Sequence, residues 1–167
     1  GKYYEKATGE ELEQIVAKMS KSLKNVVNPD DEIKSYGADS VRMYEMFMGP
    51  LTMSKPWSTQ GITGIHRFLE KVWNLSEKTM TDLDLNSKIE DKSLLSARKT
   101  FAQTIKKVTD DTASLNFNTA ISQMMIFINE ISKLPEIPKA MWQDFVKILS
   151  PYAPHLCEEL WQKLGNS

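Results

Sequence analysis

One cysteine in 167 residues excludes an internal disulfide and a cysteine-built metal centre, and with Cys157 alone the simplest expectation is a reducing, cytosolic home. Histidine is almost as scarce. His66 and His155 have no neighbouring cysteine and no second histidine one helical turn away, so no metal site is expected. No apolar run approaches the roughly 20 residues that span a bilayer, and no membrane association is expected. The start, Gly1-Lys2-Tyr3-Tyr4-Glu5-Lys6, lacks the apolar core of a signal peptide; Gly1 in place of an initiator Met suggests an excised fragment. Missing too are a Gly-rich phosphate or dinucleotide fingerprint, a Ser–His–carboxylate set and a pair of catalytic carboxylates. The chain does not read as a complete enzyme. Nor is there an excess of either charge: the formal net charge is -1, so attraction of an anionic partner cannot rest on bulk electrostatics.

Helical signals dominate what is present. Hydrophobic residues make up 41% of the chain, enough for a packed core, and the nine methionines suit irregular gaps between helices. Tyr3-Tyr4 reads as a short extended piece, Thr8 to Glu11 as a turn, and Leu12 to Val16 as a second strand, with helix over Glu10–Ala17 as the alternative. Asn28-Pro29-Asp30-Asp31 is a strong helix start and Gly37 a stop. Asp39 is expected to cap a second short helix through Val41, Tyr44 and Met48, ended by Gly49-Pro50. Residues 50–61 read as an irregular connector. Four longer amphipathic segments follow. The first carries Ile62, Ile65, Phe68, Leu69, Val72 and Trp73. The second carries Leu94, Phe101, Ile105, Val108, Thr112 and Leu115. The third is capped by Asn118 and carries Ile121, Met124, Met125, Ile128 and Ile131. The fourth opens at Pro138 and carries Met141, Phe145, Ile148 and Leu149. A last helix runs through Leu156, Leu160 and Trp161 to Gly165. Short links between such helices predict a mainly α fold, a helical bundle with a short N-terminal β/loop appendage.

Charge is uneven locally. Gln14 to Pro29 contains Lys18, Lys21 and Lys24 and no carboxylate. Within it Lys18-Met19-Ser20-Lys21-Ser22 places two ammonium groups three residues apart among hydroxyls. That pattern suits a triphosphate, ATP foremost, because a flexible ammonium can follow charge as it develops; a solvated basic loop is the plainer reading. Asn25-Val26-Val27-Asn28-Pro29 either leads into a capped helix or touches nucleic acid. Trp57 either stacks on a base or anchors the connector. Arg98, Lys99, Lys106 and Lys107 fall on one helix, where they can meet RNA phosphates or form a solvated face beside Asp110 and Asp111. His66 is assigned to a polar helix side and His155 to a capping or surface role.

The pentapeptide Lys18–Ser22, followed by Asn25–Pro29, resembles the lysine signature loop of class I aminoacyl-tRNA synthetases. Three further stretches, Tyr36-Gly37-Ala38-Asp39-Ser40-Val41-Arg42, Met46 to Leu51 and Lys55-Pro56-Trp57-Ser58, are similar to the bacterial leucyl branch, as are Arg67-Phe68-Leu69 and the tail around Ala153–Trp161. Valyl, isoleucyl and methionyl enzymes share the loop and remain the in-class alternative; a helical protein-interaction module is the alternative outside it. The resemblance implies a remnant of a catalytic domain over 1–28, a connecting module over 29–56 and an anticodon-binding-type bundle over 57–167. It implies Lys21 and Lys18 as catalytic residues and Lys18, Met19, Ser20, Lys21 and Ser22 as ATP contacts. Lys24, Asn25, Arg98, Lys99, Lys106 and Lys107 are the candidate tRNA contacts. ATP with Mg2+, leucine and tRNA(Leu) would serve a parent enzyme, expected to be cytoplasmic and monomeric, with nothing held tightly by the fragment. The family's His-x-Gly-His motif is absent from the sequence. Leu23-Lys24 stands where many relatives carry Lys-Gly, and lysine is less free than glycine in its backbone.

Overall fold

The computed structural model describes residues 2–13, 15, 17–83 and 91–166. Its N-terminal piece is a two-stranded antiparallel ribbon, β1 (Tyr3–Tyr4) against β2 (Glu11–Leu12), with Tyr3 opposite Leu12. The second strand is shorter than expected. Glu13, Ile15 and Ala17 take no regular structure, and Gln14 and Val16 lie outside the described residues.

Helices begin where the caps place them. Asn28 Oδ1 accepts from Asp30 N at 3.2 Å, opening α1 (Pro29–Tyr36) with Pro in its first turn. Gly37 then joins two helices. Its N–H donates to Ile33 O, its C=O accepts from Val41 N, and its φ of 83° is one that a side chain resists. α2 (Ala38–Phe47) therefore starts after Gly37, with no side-chain cap. The expectation that Asp39 caps this helix fails, because Asp39 is already inside it and its carboxylate is aimed at another helix.

α3 (Thr59–Ser76) buries Ile62, Ile65, Phe68, Leu69, Val72 and Leu75, and leaves Trp73 at the rim. Gly61, expected in the connector, lies in its first turn. A Cβ there would come 2.5 Å from Tyr44 Cε2, so the glycine permits α2 and α3 to approach. Tyr44 also ties the connector down: its hydroxyl accepts from Ser58 N at 2.9 Å, and its ring meets Trp57 edge-on at 4.9 Å. Trp57 thus packs intramolecularly, the anchoring alternative of the two.

β3 (Met80–Thr81) pairs in parallel with β4 (Ile137–Pro138), a contact with no sequence signal. Lys78 strengthens it, its ammonium donating to Ser132 O and Leu134 O just past the next long hairpin. α4 (Lys92–Ala113) is capped by Asp91, which accepts from Ser93 N and Leu94 N. It runs antiparallel to α5 (Phe117–Ile131), as three cross-bonds show: Ser96 to Glu130, Gln123 to Thr104, and Thr119 to Asp111. The face of α4 that packs is Ala97, Phe101, Thr104 and Val108. Ile105, one step off this stripe, stays 37% exposed. Leu115 lies beyond the helix, where its φ of 60° makes the left-handed turn that ends α4, and is exposed. Its N–H reaches Thr112 O and the following Asn116 N–H reaches Asp111 O, the paired bonds of a Schellman ending. α5 consequently starts from Asn116, and Asn118 is in its first turn.

α6 (Lys139–Leu149) and α7 (Pro154–Lys163) complete the bundle. Phe127 sits between Phe101 at 4.9 Å and Phe145 at 5.1 Å, with Trp142 fully buried beside them. Burying one such aromatic stabilises by about 1.5–3 kcal/mol. Among the described residues no helix is long and apolar enough to cross a membrane.

Candidate functional site

The lysine loop is a hydrogen-bonded turn on the exposed N-terminal segment. Lys24 N donates to Lys21 O at 3.2 Å, and Ser20 Oγ accepts from Leu23 N at the same distance. Asn25 closes it. Its Oδ1 accepts from Ser20 N at 2.8 Å and its Nδ2 donates to Lys18 O at 3.4 Å. A side-chain amide can do both at once because it carries an acceptor and a donor. Asn25 is therefore the clasp of the loop. The hydroxyls of Ser20 and Ser22 lie 3.1 Å apart, bonded to each other. Four hydrogen bonds tie the backbone of the turn, and Lys18, Lys21 and Lys24 project as exposed cations.

Lys24 has a φ of 52°. A non-glycine residue in this left-handed region carries a strain of roughly 1–2 kcal/mol. The turn demands the conformation that glycine supplies most easily, and lysine adopts it here.

The second group of candidates lies on the solvent side of α4. Arg98 and Lys106 are eight residues apart, about 12 Å along the axis. Lys106 pairs with Asp110 at 2.9 Å and Lys107 with Asp111 at 2.8 Å. Asp111 is the more constrained acid. Burial pushes its carboxyl up, but bonds from Lys107 and Thr119 outweigh burial and hold it below the usual range. Lys107 is consequently part of the α4–α5 joint, while Arg98 and Lys99 are exposed. The structure brings Lys18, Ser20, Ser22 and Asn25 together and leaves the four α4 cations on a separate element.

The histidines stand at the α1–α2 joint, around a cleft of about 320 Å³. His66 Nδ1 is 3.2 Å from Ser40 Oγ, and its ring meets Tyr36 edge-on. His155 Nδ1 is 2.8 Å from Asp39 Oδ1. Among the described residues no three acidic, histidine or cysteine side chains converge as they would on a metal ion. Cys157, 2% exposed, has its thiol pushed up to about 12, first by burial and then by the Asp39 charge, which makes it unreactive.

Two family models match the chain: the class I tRNA synthetases (I, L, M and V) over residues 12–58 and the anticodon-binding domain of tRNA ligase over residues 95–167. A leucine–tRNA ligase of Treponema pallidum subsp. pallidum is 53% identical over 182 residues, covering 100% of this chain and 21% of the relative. One of Borreliella burgdorferi is 56% identical over 165 residues, covering 99% and 19%. The chain thus spans about a fifth of the length of these relatives. Among solved structures, Agrobacterium radiobacter K84 agnB2 LeuRS, in a ternary complex with tRNA and LeuAMS, superposes with a TM-score of 0.75 at 28% identity, over 88% of this chain and 21% of that one.

Proposed function

The chain belongs to the class I aminoacyl-tRNA synthetases, as a segment of the leucine–tRNA ligase type, and we propose that it supplies the triphosphate-gripping loop and a tRNA-docking bundle to a ligase that activates leucine with ATP. In that reaction the leucine carboxylate attacks the α-phosphate and pyrophosphate leaves. Negative charge builds on the departing phosphates, where Lys21, assisted by Lys18, binds the transition state more strongly than the ground state. Met19, Ser20 and Ser22 complete the contact surface. A magnesium ion does not suit the loop itself, which offers ammonium groups and hydroxyls but no carboxylate.

The supporting observation is the Asn25 clasp, which fixes the backbone of the turn while leaving both lysines exposed. The bundle docks tRNA through phosphate contacts, with Arg98 and Lys99 foremost and Lys106 and Lys107 secondary, and Lys24 and Asn25 add contacts from the loop. The divisions at residues 28 and 56, a cytoplasmic location and a monomeric parent complete the proposal.

Replacing Lys21 by Ala in the full-length ligase tests the first part. Leucine-dependent pyrophosphate exchange should fall about 100-fold; unchanged exchange overturns the assignment. The 167-residue chain alone should form no leucyl-adenylate and should bind tRNA weakly, with affinity falling as salt rises. Salt-independent binding, or equal binding by an Arg98/Lys99→Ala variant, would overturn the docking assignment and favour a protein-interaction module.

A further inference from the structure

Two sets of hydrogen bonds fasten α2 to the far end of the chain. The Asp39 carboxylate accepts from Leu156 N at 2.7 Å, from His155 N at 3.4 Å and from His155 Nδ1 at 2.8 Å. Arg42 donates through Nη2 and Nε to Pro151 O, at 2.9 and 3.3 Å. Asp39 and Arg42 are three residues apart and share a face of α2. Their partners are the two sides of one corner. Asp39 places an anion on the free N–H groups at the start of α7, and Arg42 places a cation just past the end of α6. Both match the helix dipoles, and both bonds are charge-assisted. Asp39 is only 9% exposed. Partners 109 to 117 residues away make this a joint between remote parts of the sequence. It also joins the two matched segments, since the class I match ends at residue 58 and the anticodon-binding match begins at residue 95.

Upstream, the chain runs from α2 through Gly37, the eight-residue α1 and Asn25–Asn28 to the lysine loop. We infer that Asp39 and Arg42 are positioning residues: they hold the lysine-loop side of the protein in a set place relative to the bundle, so that a tRNA docked on the bundle meets an adenylate made beside the loop. This rests on the proposed function above. Neither residue touches ATP, leucine or tRNA in this scheme. Loosening the joint therefore leaves the chemistry of leucine activation intact and misplaces the tRNA.

The test compares two half-reactions in the full-length ligase. Asp39→Asn keeps the side-chain volume but loses the charge and one acceptor; Arg42→Lys keeps the charge but loses the two-pronged contact. Pyrophosphate exchange without tRNA should stay within about twofold of the parent. The kcat/KM for tRNA in leucylation should fall about tenfold to a hundredfold, the cost of a misplacement of the order of 1 Å. His155→Ala, which leaves the backbone bonds in place, should cost less than either. If the variants melt like the parent and charge tRNA as well as it does, the inference is overturned. It is overturned equally if exchange and charging fall by the same factor, which marks a purely structural role. If Asp39→Asn does not fold, Arg42→Lys carries the comparison alone. Failure of the unmodified ligase to charge tRNA with leucine would instead bring down the proposed function itself.

Discussion

Residues 2–27 and residues 38–164 are built by opposite means. In the first, Tyr3, Tyr4, Leu12, Ile15, Leu23 and Val26 are all exposed, and order comes from local hydrogen bonds, an exposed Lys2–Glu11 pair and the Asn25 clasp. In the second, Met43, Ile62, Ile65, Met124, Phe127, Trp142 and Phe145 are wholly excluded from solvent. The exposed lysines of the loop are thus carried by the part with almost no core, and the apolar core belongs to the other part. Short polar clasps hold a cationic loop in shape while keeping its ammonium groups in water, where a phosphate can reach them. Apolar burial, which is much stronger, sets the frame on which such a loop is placed.

Paired substitutions can break this contrast. Phe127→Ala should cost about 3–5 kcal/mol in chemical denaturation, whereas Leu23→Ala should change stability by less than about 0.5 kcal/mol. Comparable losses at the two sites would show that the loop segment packs as tightly as the bundle. Gly61→Ala probes the α2–α3 approach. With Tyr44 in the way, the methyl group should destabilise by about 1–3 kcal/mol, read as a lower denaturant midpoint at unchanged slope.

Among the described residues, two non-glycine positions with positive φ, Lys24 and Leu115, give a finer comparison. Leu115→Gly relieves left-handed strain but adds freedom to the unfolded chain, for a net gain of about 0.5–1 kcal/mol and a melting temperature higher by roughly 1–3 °C. Lys24→Gly relieves similar strain outside the bundle and should leave the melting temperature unchanged. The smallest effect concerns acid. Because the folded protein holds Asp111 below its ordinary value of 3.8, its ion pair stabilises fully above that value and is lost as pH falls through the lowered one. Asp111→Asn should therefore flatten the loss of stability below about pH 4, measured as melting temperature against pH.

Much of the bundle was legible because its signals are local. The Asn28-Pro29 start, the Gly37 stop and the stripes of α3, α5 and α6 depend on residues three or four apart, and they lie where the periodicity placed them. The site was legible less evenly. The mainly α class and the loop Lys18–Ser22 were readable, but the role of Asn25 was not. Its composition-level signal, an amide near a turn, says nothing of a clasp; only the distances to Ser20 N and Lys18 O show it. Thr104 was missed as a packing position because a threonine does not mark an apolar stripe, yet Gln123 and Thr100 O satisfy its hydroxyl and let it bury.

Amino-acid order alone determined the helices, since caps, turn residues and helical periods act over a few bonds of chain. It also determined the carboxylate-free stretch that makes the loop cationic, because no fold can change which charges are adjacent. Tertiary structure decided the rest. Asp39 has the sequence of a cap for its own helix, but Gly37 takes that place and the carboxylate finds free N–H groups 116 and 117 residues downstream. Helix-end donors accept a suitable anion from wherever the chain brings one, and only the packing of α2 against α7 determines which helix it serves.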